Sequence, residues 1–243
     1  YYSVREPMQP PKQYTARLEE KIVHNERFIQ YSFELAEPHE MPFEAGQYVS
    51  VKVSEKGERR SYSICSSPDI KHGFELLIDI SPGGIGSKYF EALDFGATIE
   101  FLGPLGMFTL APNENEAATT FVATGSGIAP FRSMIFELLQ EKKDTRPIIL
   151  YWGLRHENML FWEDDFEELA ENFPNFKFHP VISQSSEAWP LCRGRVTDCL
   201  AVHDLLENSG YYLCGSTPMI ADTSKLLIGR GTSEENIHHE KFY

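Results

Sequence analysis

The chain has 243 residues, 42% hydrophobic and 13% aromatic, with a formal net charge of −14, a make-up that excludes large-scale disorder and suits two ordinary domains without disulfide staples. The acidic balance excludes non-specific binding to nucleic acid and to anionic membranes, which draws on concentrated Lys and Arg. No stretch reaches the ~18 continuous apolar residues of a membrane span, and no early apolar run reads as a signal peptide, so the expected location is cytoplasmic.

Residues 1–13 hold three prolines and little periodicity and are expected to form an extended arm or linker. The first residue is not Met, which leaves room for an upstream segment. From Tyr14 the pattern is β. Ile29, Tyr31, Phe33 and Leu35 alternate with Phe28, Gln30, Ser32 and Glu34, and Val49, Val51 and Val53 alternate with Ser50, Lys52 and Ser54, the period of half-buried antiparallel strands. His24-Asn25-Glu26 reads as a hairpin turn, with further strands expected at 60–66, 73–80 and 97–102. Together these predict a six-stranded antiparallel β-barrel over 14–112.

Two motifs in this half carry chemistry. Along Arg60-Ser61-Tyr62-Ser63, an arginine, a tyrosine and hydroxyls on one strand suit a phosphate, a flat ring and its polar edge. Gly83-Gly84-Ile85-Gly86-Ser87 then leads into a helical run, Ser87 to Leu93, where backbone N–H groups free of side chains allow close approach of a pyrophosphate. Either motif alone also reads as an ordinary strand or glycine turn; in this order they point to a nucleotide cofactor.

The rhythm changes at Pro112-Asn113-Glu114-Asn115-Glu116, the expected boundary, and 117–243 alternates buried strands (TTFVAT, PIILYWG, KFHPVI, YYLCG) with helical stretches near 128–141, 162–172, 197–206 and 217–228. The prediction is an α/β domain around a parallel sheet. Thr124-Gly125-Ser126-Gly127 lies where a strand meets a helix, with Pro130 in the first turn; the two glycines suit a phosphate turn, though the third glycine of the dinucleotide fingerprint is missing and a plain strand–helix turn fits as well. Cys214-Gly215 stands at the end of a later strand, where such sheets bind ligands; a small buried hydrophobe is the plainer reading of Cys214. The cysteines at 65, 192, 199 and 214 fit no zinc or iron–sulfur spacing and are expected as reduced thiols. His238-His239 reads as a strand end rather than a ligand pair, and no metal is expected. The acidic run from Glu163 to Glu171 reads as a solvated helix face, and Lys52, Lys56, Arg59 and Arg60 form one basic concentration, diluted by Glu55 and Glu58.

In the same order along the chain, Ala45-Gly46-Gln47-Tyr48, Arg60 to Ser63, Gly84 to Ser87, Gly103-Pro104-Leu105-Gly106, Thr124 to Pro130, Gly153-Leu154-Arg155, Cys214 to Met219 and Glu240-Lys241-Phe242 resemble the ferredoxin–NADP reductase superfamily. The resemblance implies an FAD-dependent NAD(P)H reductase with an FAD-binding barrel and a nicotinamide-binding α/β domain. It implies that Arg60 pairs with the FAD pyrophosphate, that Tyr62 lies against the isoalloxazine, that Ser63 approaches its N5, and that Gly84, Ile85, Gly86 and Ser87 cradle the pyrophosphate, with Ser61 and Ile78 counted among the cofactor-binding residues. Thr124, Gly125, Ser126 and Gly127 would bind the nicotinamide nucleotide, with Gly153, Arg155, Gly215 and Met219 in the same cleft. Ser63, Cys214 and Glu240 are the implied catalytic groups, and Tyr243 would lie near the opposite ring face. Gln184 stands where NADPH users of the family often carry an arginine, and Arg193 and Arg195 also read as solvated or packed on Trp189, which favours NADH. The electron acceptor is expected to be a ferredoxin, an oxygenase component or a similar partner; a free-flavin or ferric reductase and a flavin-binding electron-transfer subunit that does not use NAD(P)H are the alternatives. The family often appends a plant-type iron–sulfur domain, which this sequence does not contain.

Overall fold

The structure, a computed structural model, describes residues 11–111 and 116–241. The first half is antiparallel throughout: β1 (Lys12–Val23), β2 (Phe28–Glu37), β3 (Tyr48–Lys52), β4 (Arg59–Ser63), β5 (Gly73–Asp79) and β6 (Thr98–Leu105), with α1 (Ile85–Glu91) between the last two. The strands pair in the order β4-β3-β6-β1-β2-β5. An isolated bridge from Ile64 to Leu76 joins the two edges and nearly closes the sheet into the expected barrel. The β1–β2 hairpin turns where expected, because the Asn25 side-chain oxygen accepts from the N–H groups of Arg27 and Phe28, an Asx turn. Inside, Tyr31, Phe33, Phe74, Phe90 and Phe101 fill one core, and the buried Tyr31 hydroxyl donates to the Phe90 carbonyl at 2.8 Å, which pins the end of α1 to the barrel.

The second half holds β7 (Ala118–Thr124), α2 (Ile128–Phe136), β8 (Ile148–Leu154), α3 (Glu163–Asn172), β9 (Phe176–Ile182), β10 (Cys192–Arg193), α4 (Val196–Val202), β11 (Ser209–Gly215), α5 (Thr217–Gly229) and β12 (Ile237–Lys241). Its sheet is parallel, in the order β10-β9-β8-β7-β11-β12. From β7 the chain moves outward one way through β8 and β9 and later the other way through β11, so the crevice past the ends of β7 and β11 is the switch point at which such sheets take ligands.

Three local features differ from expectation. Helix α1 begins at Ile85, two residues before Ser87. Helix α4 stops at Val202 rather than near 206, because the Arg230 guanidinium donates to the carbonyls of Leu200 and His203 and closes the helix end. Cys192 and Cys199, expected as free thiols, are joined in a disulfide, since the turn through Gly194 (φ 89°) brings their Cα atoms to 5.7 Å; Cys65 and Cys214 are free and buried.

The two halves share a core. Phe28, Ala45, Cys65, Leu77 and Phe108 of the barrel pack with Phe131, Met134 and Ile135 of α2. Polar groups lock the contact. The Arg132 guanidinium donates to the Cys65 carbonyl at 3.1 Å and to Glu75 at 2.7 Å, and lies over the Trp162 ring, while the Trp162 indole N–H donates to Gln30. Among the described residues, no helix is long and apolar enough to cross a membrane.

Candidate functional site: two clefts that meet

A cleft of about 910 Å³ runs along the barrel between β4, the start of α1 and the end of β12. Its walls include Arg59, Arg60, Ser61, Tyr62 and Ser63 on one side and Gly84, Ile85, Gly86 and Ser87 on the other. The β3–β4 pairing, Val51 opposite Arg60 and Val49 opposite Tyr62, fixes which β4 residues share a face. The Arg60 guanidinium donates to the Arg59 carbonyl and that of Arg59 to the Ser50 carbonyl, and among the described residues neither has a carboxylate partner, so two cations stand free for an anion. Tyr62 packs edge-on against Phe90, and burial pushes its phenol up to about 12, keeping it neutral. Its hydroxyl lies 2.2 Å from where a Cβ on Gly86 would stand, so only glycine lets the turn pass so close to this ring. At Gly83 and Gly84 a Cβ would meet nothing, which leaves open room beside the backbone for a bulky anion. Cations, an aromatic wall and a bare glycine turn are the donor set for a dinucleotide with a flat ring, and they fit FAD.

At one end of this cleft sits Glu240. Burial raises its carboxyl to about 7, against the opposing effect of a hydrogen bond from the Ser63 hydroxyl. β12 pairs Glu240 with Cys214 of β11. The Cys214 thiol is fully buried, and burial first, then the Glu240 charge, holds it well above its ordinary value, so it stays protonated.

The second cleft, about 790 Å³, opens at the switch point and is lined by Thr124, Gly125, Ser126, Gly153, Arg155, Gly215 and Met219, together with Ser183, Gln184, Arg195 and Asp198. A Cβ on Gly127 would lie 2.2 Å from the Cys214 carbonyl oxygen, so glycine is needed for α2 to start this close to β11. The Trp152 indole N–H donates to the Gly125 carbonyl and steadies the turn, and the Thr124 hydroxyl accepts from the Ser216 N–H at the start of α5.

The two clefts share Asp79 and Ser126. Asp79 is held by the Arg27 guanidinium, with Nε at 2.9 Å, and by the Ser81 hydroxyl and N–H. Sequence reasoning singled out neither Arg27 nor Asp79, since a charged pair brought together by the β2–β5 pairing of Phe28 with Asp79 has no local signature. Of the residues named from sequence, Arg60 to Ser63, Gly84 to Ser87, Ser126 and Glu240 come together in the barrel cleft, and Thr124 to Ser126, Gly153, Arg155, Gly215 and Met219 in the other. Two side chains stand apart. Ile78 is 1% exposed in the barrel core while its neighbours Leu77 and Asp79 line the cleft, as strand alternation requires, and the Cys214 side chain belongs to the core the two halves share. Tyr243 lies outside the described residues.

Residues 15–110 match the oxidoreductase FAD-binding domain family and residues 121–225 the oxidoreductase NAD-binding domain family. The chain is 33% identical over 221 residues to ferredoxin–NADP reductase B of Sorangium cellulosum (strain So ce56), covering 87% of this chain and 90% of that protein. It is 34% identical over 214 residues to the aromatic O-demethylase reductase subunit of Amycolatopsis sp. (strain ATCC 39116 / 75iv2), 86% and 63% of the two chains, and 35% identical over 209 residues to the reductase component DmpP of phenol 2-monooxygenase from Pseudomonas sp. (strain CF600), 84% and 58%. The chain thus spans about six-tenths of the length of these two relatives. Among solved structures, the Amycolatopsis cytochrome P450 reductase GcoB superposes with a TM-score of 0.89 at 30% identity, covering 100% of this chain and 73% of that one. A ferredoxin NADP+ reductase from Neisseria gonorrhoeae shares the fold with a TM-score of 0.81 at 23% identity, covering 96% and 99%.

Proposed function

Because the chain belongs to the ferredoxin–NADP reductase superfamily and is an FAD-dependent NAD(P)H reductase, we propose that it holds FAD along the barrel cleft and NADH along the α/β cleft. The place where the clefts meet would bring the two cofactors together for hydride transfer, and the electron acceptor would be a protein of an oxygenase system. The observation that carries this reading is the junction itself: two clefts, each with a phosphate-type glycine turn, run together at Asp79 and Ser126.

When bound, FAD supplies a ring that accepts a hydride and releases electrons singly or in pairs. The protein supplies position. Arg59 and Arg60 offset the pyrophosphate charge, the Gly84–Ser87 turn leaves it room, and Tyr62, braced by Phe90, offers the ring a fixed wall. The Ser63–Glu240 pair holds a proton at the far end of the cleft, shared between ionised and neutral carboxyl near neutral pH. Cys214, buried and protonated, acts as packing beneath the junction rather than as a nucleophile. Thr124 to Gly127 and the Gly215 turn would hold the nucleotide, and holding both cofactors at one junction would make transfer between them effectively unimolecular.

The charges around the outer end of the α/β cleft favour NADH over NADPH. Gln184 is neutral, the Arg193 guanidinium is turned back onto the Glu187 and Trp189 carbonyls, and Arg195 faces Asp222 at 3.6 Å with Asp198 beside it. Arg155 is the one cleft arginine here with no carboxylate partner among the described residues, and a 2′-phosphate beside Gln184 and Arg195 would also meet the Asp198 and Asp222 carboxylates. The acceptor is inferred from relatives named as the electron-transfer component of a dioxygenase and the reductase component of a monooxygenase. Steady-state reduction of an artificial acceptor by the FAD-loaded chain tests the nucleotide: kcat/KM for NADH should exceed that for NADPH by about tenfold or more, ~1.4 kcal/mol, and a preference for NADPH would overturn the assignment.

A further inference from the structure

One wall of the nucleotide cleft is closed by a covalent ring that the hydride chemistry does not use. Cys192 ends the loop after β9 and lies opposite Val181 in the short β9–β10 pairing; Cys199 lies inside α4. Their disulfide encloses Arg193 to Asp198, and five of those residues, Gly194 to Asp198, line the nucleotide cleft. The stretch is tightly folded: Asp198 accepts from the Arg195 N–H at 2.7 Å, and a Cβ on Gly194 would meet the same carboxylate at 2.6 Å. The two sulfurs differ in environment. Cys199 is 2% exposed, whereas Cys192 is only partly buried, which makes Cys192 the more accessible of the two to an incoming thiolate. Beside Cys199 stands His203, whose Nδ1 is 2.8 Å from the Cys199 carbonyl oxygen and 3.8 Å from its Sγ. A carbonyl only accepts, so Nδ1 carries the proton and donates it to that carbonyl, which leaves the N–H beside the sulfur that would leave.

We propose that Cys192 and Cys199 form a dithiol–disulfide modification site, with His203 assisting its opening, whose state sets the affinity of the adjacent nucleotide cleft. The proposal rests on the reading of that cleft given above. A dithiol reductant attacks Sγ of Cys192, forming a mixed disulfide and releasing Cys199 as a thiolate that the His203 N–H stabilises. The reductant's second thiol then displaces Cys192, so the reductant departs as its disulfide and two electrons and two protons are left on the cysteine pair. Hydrogen peroxide reverses this, taking both electrons and both protons and leaving as two molecules of water. Opening the ring frees Gly194 to Asp198 from a covalent constraint, so part of the ordering that the disulfide supplies must be met when the nucleotide binds.

Trp189 provides an internal reporter, because its indole N–H donates to the Cys192 carbonyl at 3.1 Å. The test uses the FAD-loaded chain in three forms: oxidised, reduced with dithiothreitol, and as the Cys192→Ser/Cys199→Ser double variant. NAD+ binding is followed by calorimetry, tryptophan emission is recorded, and thiols are counted under denaturing conditions. The expected result is a Kd for NAD+ raised about fivefold or more on reduction, a change in tryptophan emission, two further titratable thiols, and recovery of the first affinity with hydrogen peroxide. The double variant should show the weakened affinity and ignore dithiothreitol. Equal affinities in the oxidised and reduced forms, or a purified chain whose four cysteines all titrate and whose pair peroxide does not close, would overturn the proposal. So would one zinc ion per reduced chain, held against dialysis by Cys192, Cys199 and His203. Absence of NAD+ binding in every form would instead sink the functional reading, and the proposal with it.

Discussion

Glu240 has the most informative side chain of the barrel cleft. Its carboxyl is raised to about 7 because burial penalises the charged form, and the Ser63 hydrogen bond pulls the other way by favouring it. The group is therefore neutral below about pH 7 and ionised above. kcat/KM against pH should accordingly break near 7, and Glu240→Gln should abolish that break. Ser63→Ala removes a donor to the carboxylate, so the break should move to higher pH; a shift downward would contradict the assigned hydrogen bond. Gly127 makes a different kind of prediction. A Cβ there meets backbone, the Cys214 carbonyl at 2.2 Å, and backbone cannot swing aside. Gly127→Ala should weaken NAD+ binding about tenfold or more, read by calorimetry, while the flavin stays bound, since the barrel cleft is lined by other residues.

At the scale of elements, α1 and α2 carry the site because each is fastened to the barrel at a buried point. Tyr31→Phe removes the bond that holds the end of α1 and should cost about 1 kcal/mol in denaturant unfolding. Arg132→Met removes the partner of the half-buried Glu75 and leaves the Cys65 carbonyl without that donor, so it should cost about 3 kcal/mol; a loss below about 1 kcal/mol would show that the clamp does not hold α2 to the barrel. The elements themselves were largely legible. Strand alternation in Phe28 to Leu35 and the glycine turn after TTFVAT are local patterns, and both elements form where they predict. What was not legible depends on distant partners. The early stop of α4 needs Arg230, 28 residues beyond Val202, and the Cys192–Cys199 bond needs the positive φ of Gly194 to turn the chain back. The residues of the clefts divide in the same way: the motifs named from sequence are contiguous runs, on β4 itself or on turns and strand ends, whereas Arg27 and Asp79 meet only through a strand pairing.

For the molecule as a whole, the shared core decides behaviour. Phe28, Leu77 and Phe108 of the barrel are buried with residues of α2, so separating the halves would expose a large apolar surface. The chain should accordingly unfold in one cooperative transition, with barrel and sheet melting together in calorimetry; two resolved transitions would mean that the halves are independent. That rigidity is what allows two clefts, built on different sheets, to meet at fixed residues. The central claim, that a nucleotide in one cleft reduces FAD in the other, is tested most directly by anaerobic titration of the FAD-loaded chain with NADH, following the visible absorbance of the flavin. The prediction is complete bleaching at about one equivalent of NADH; a flavin that stays bound and stays yellow with both NADH and NADPH would contradict the account.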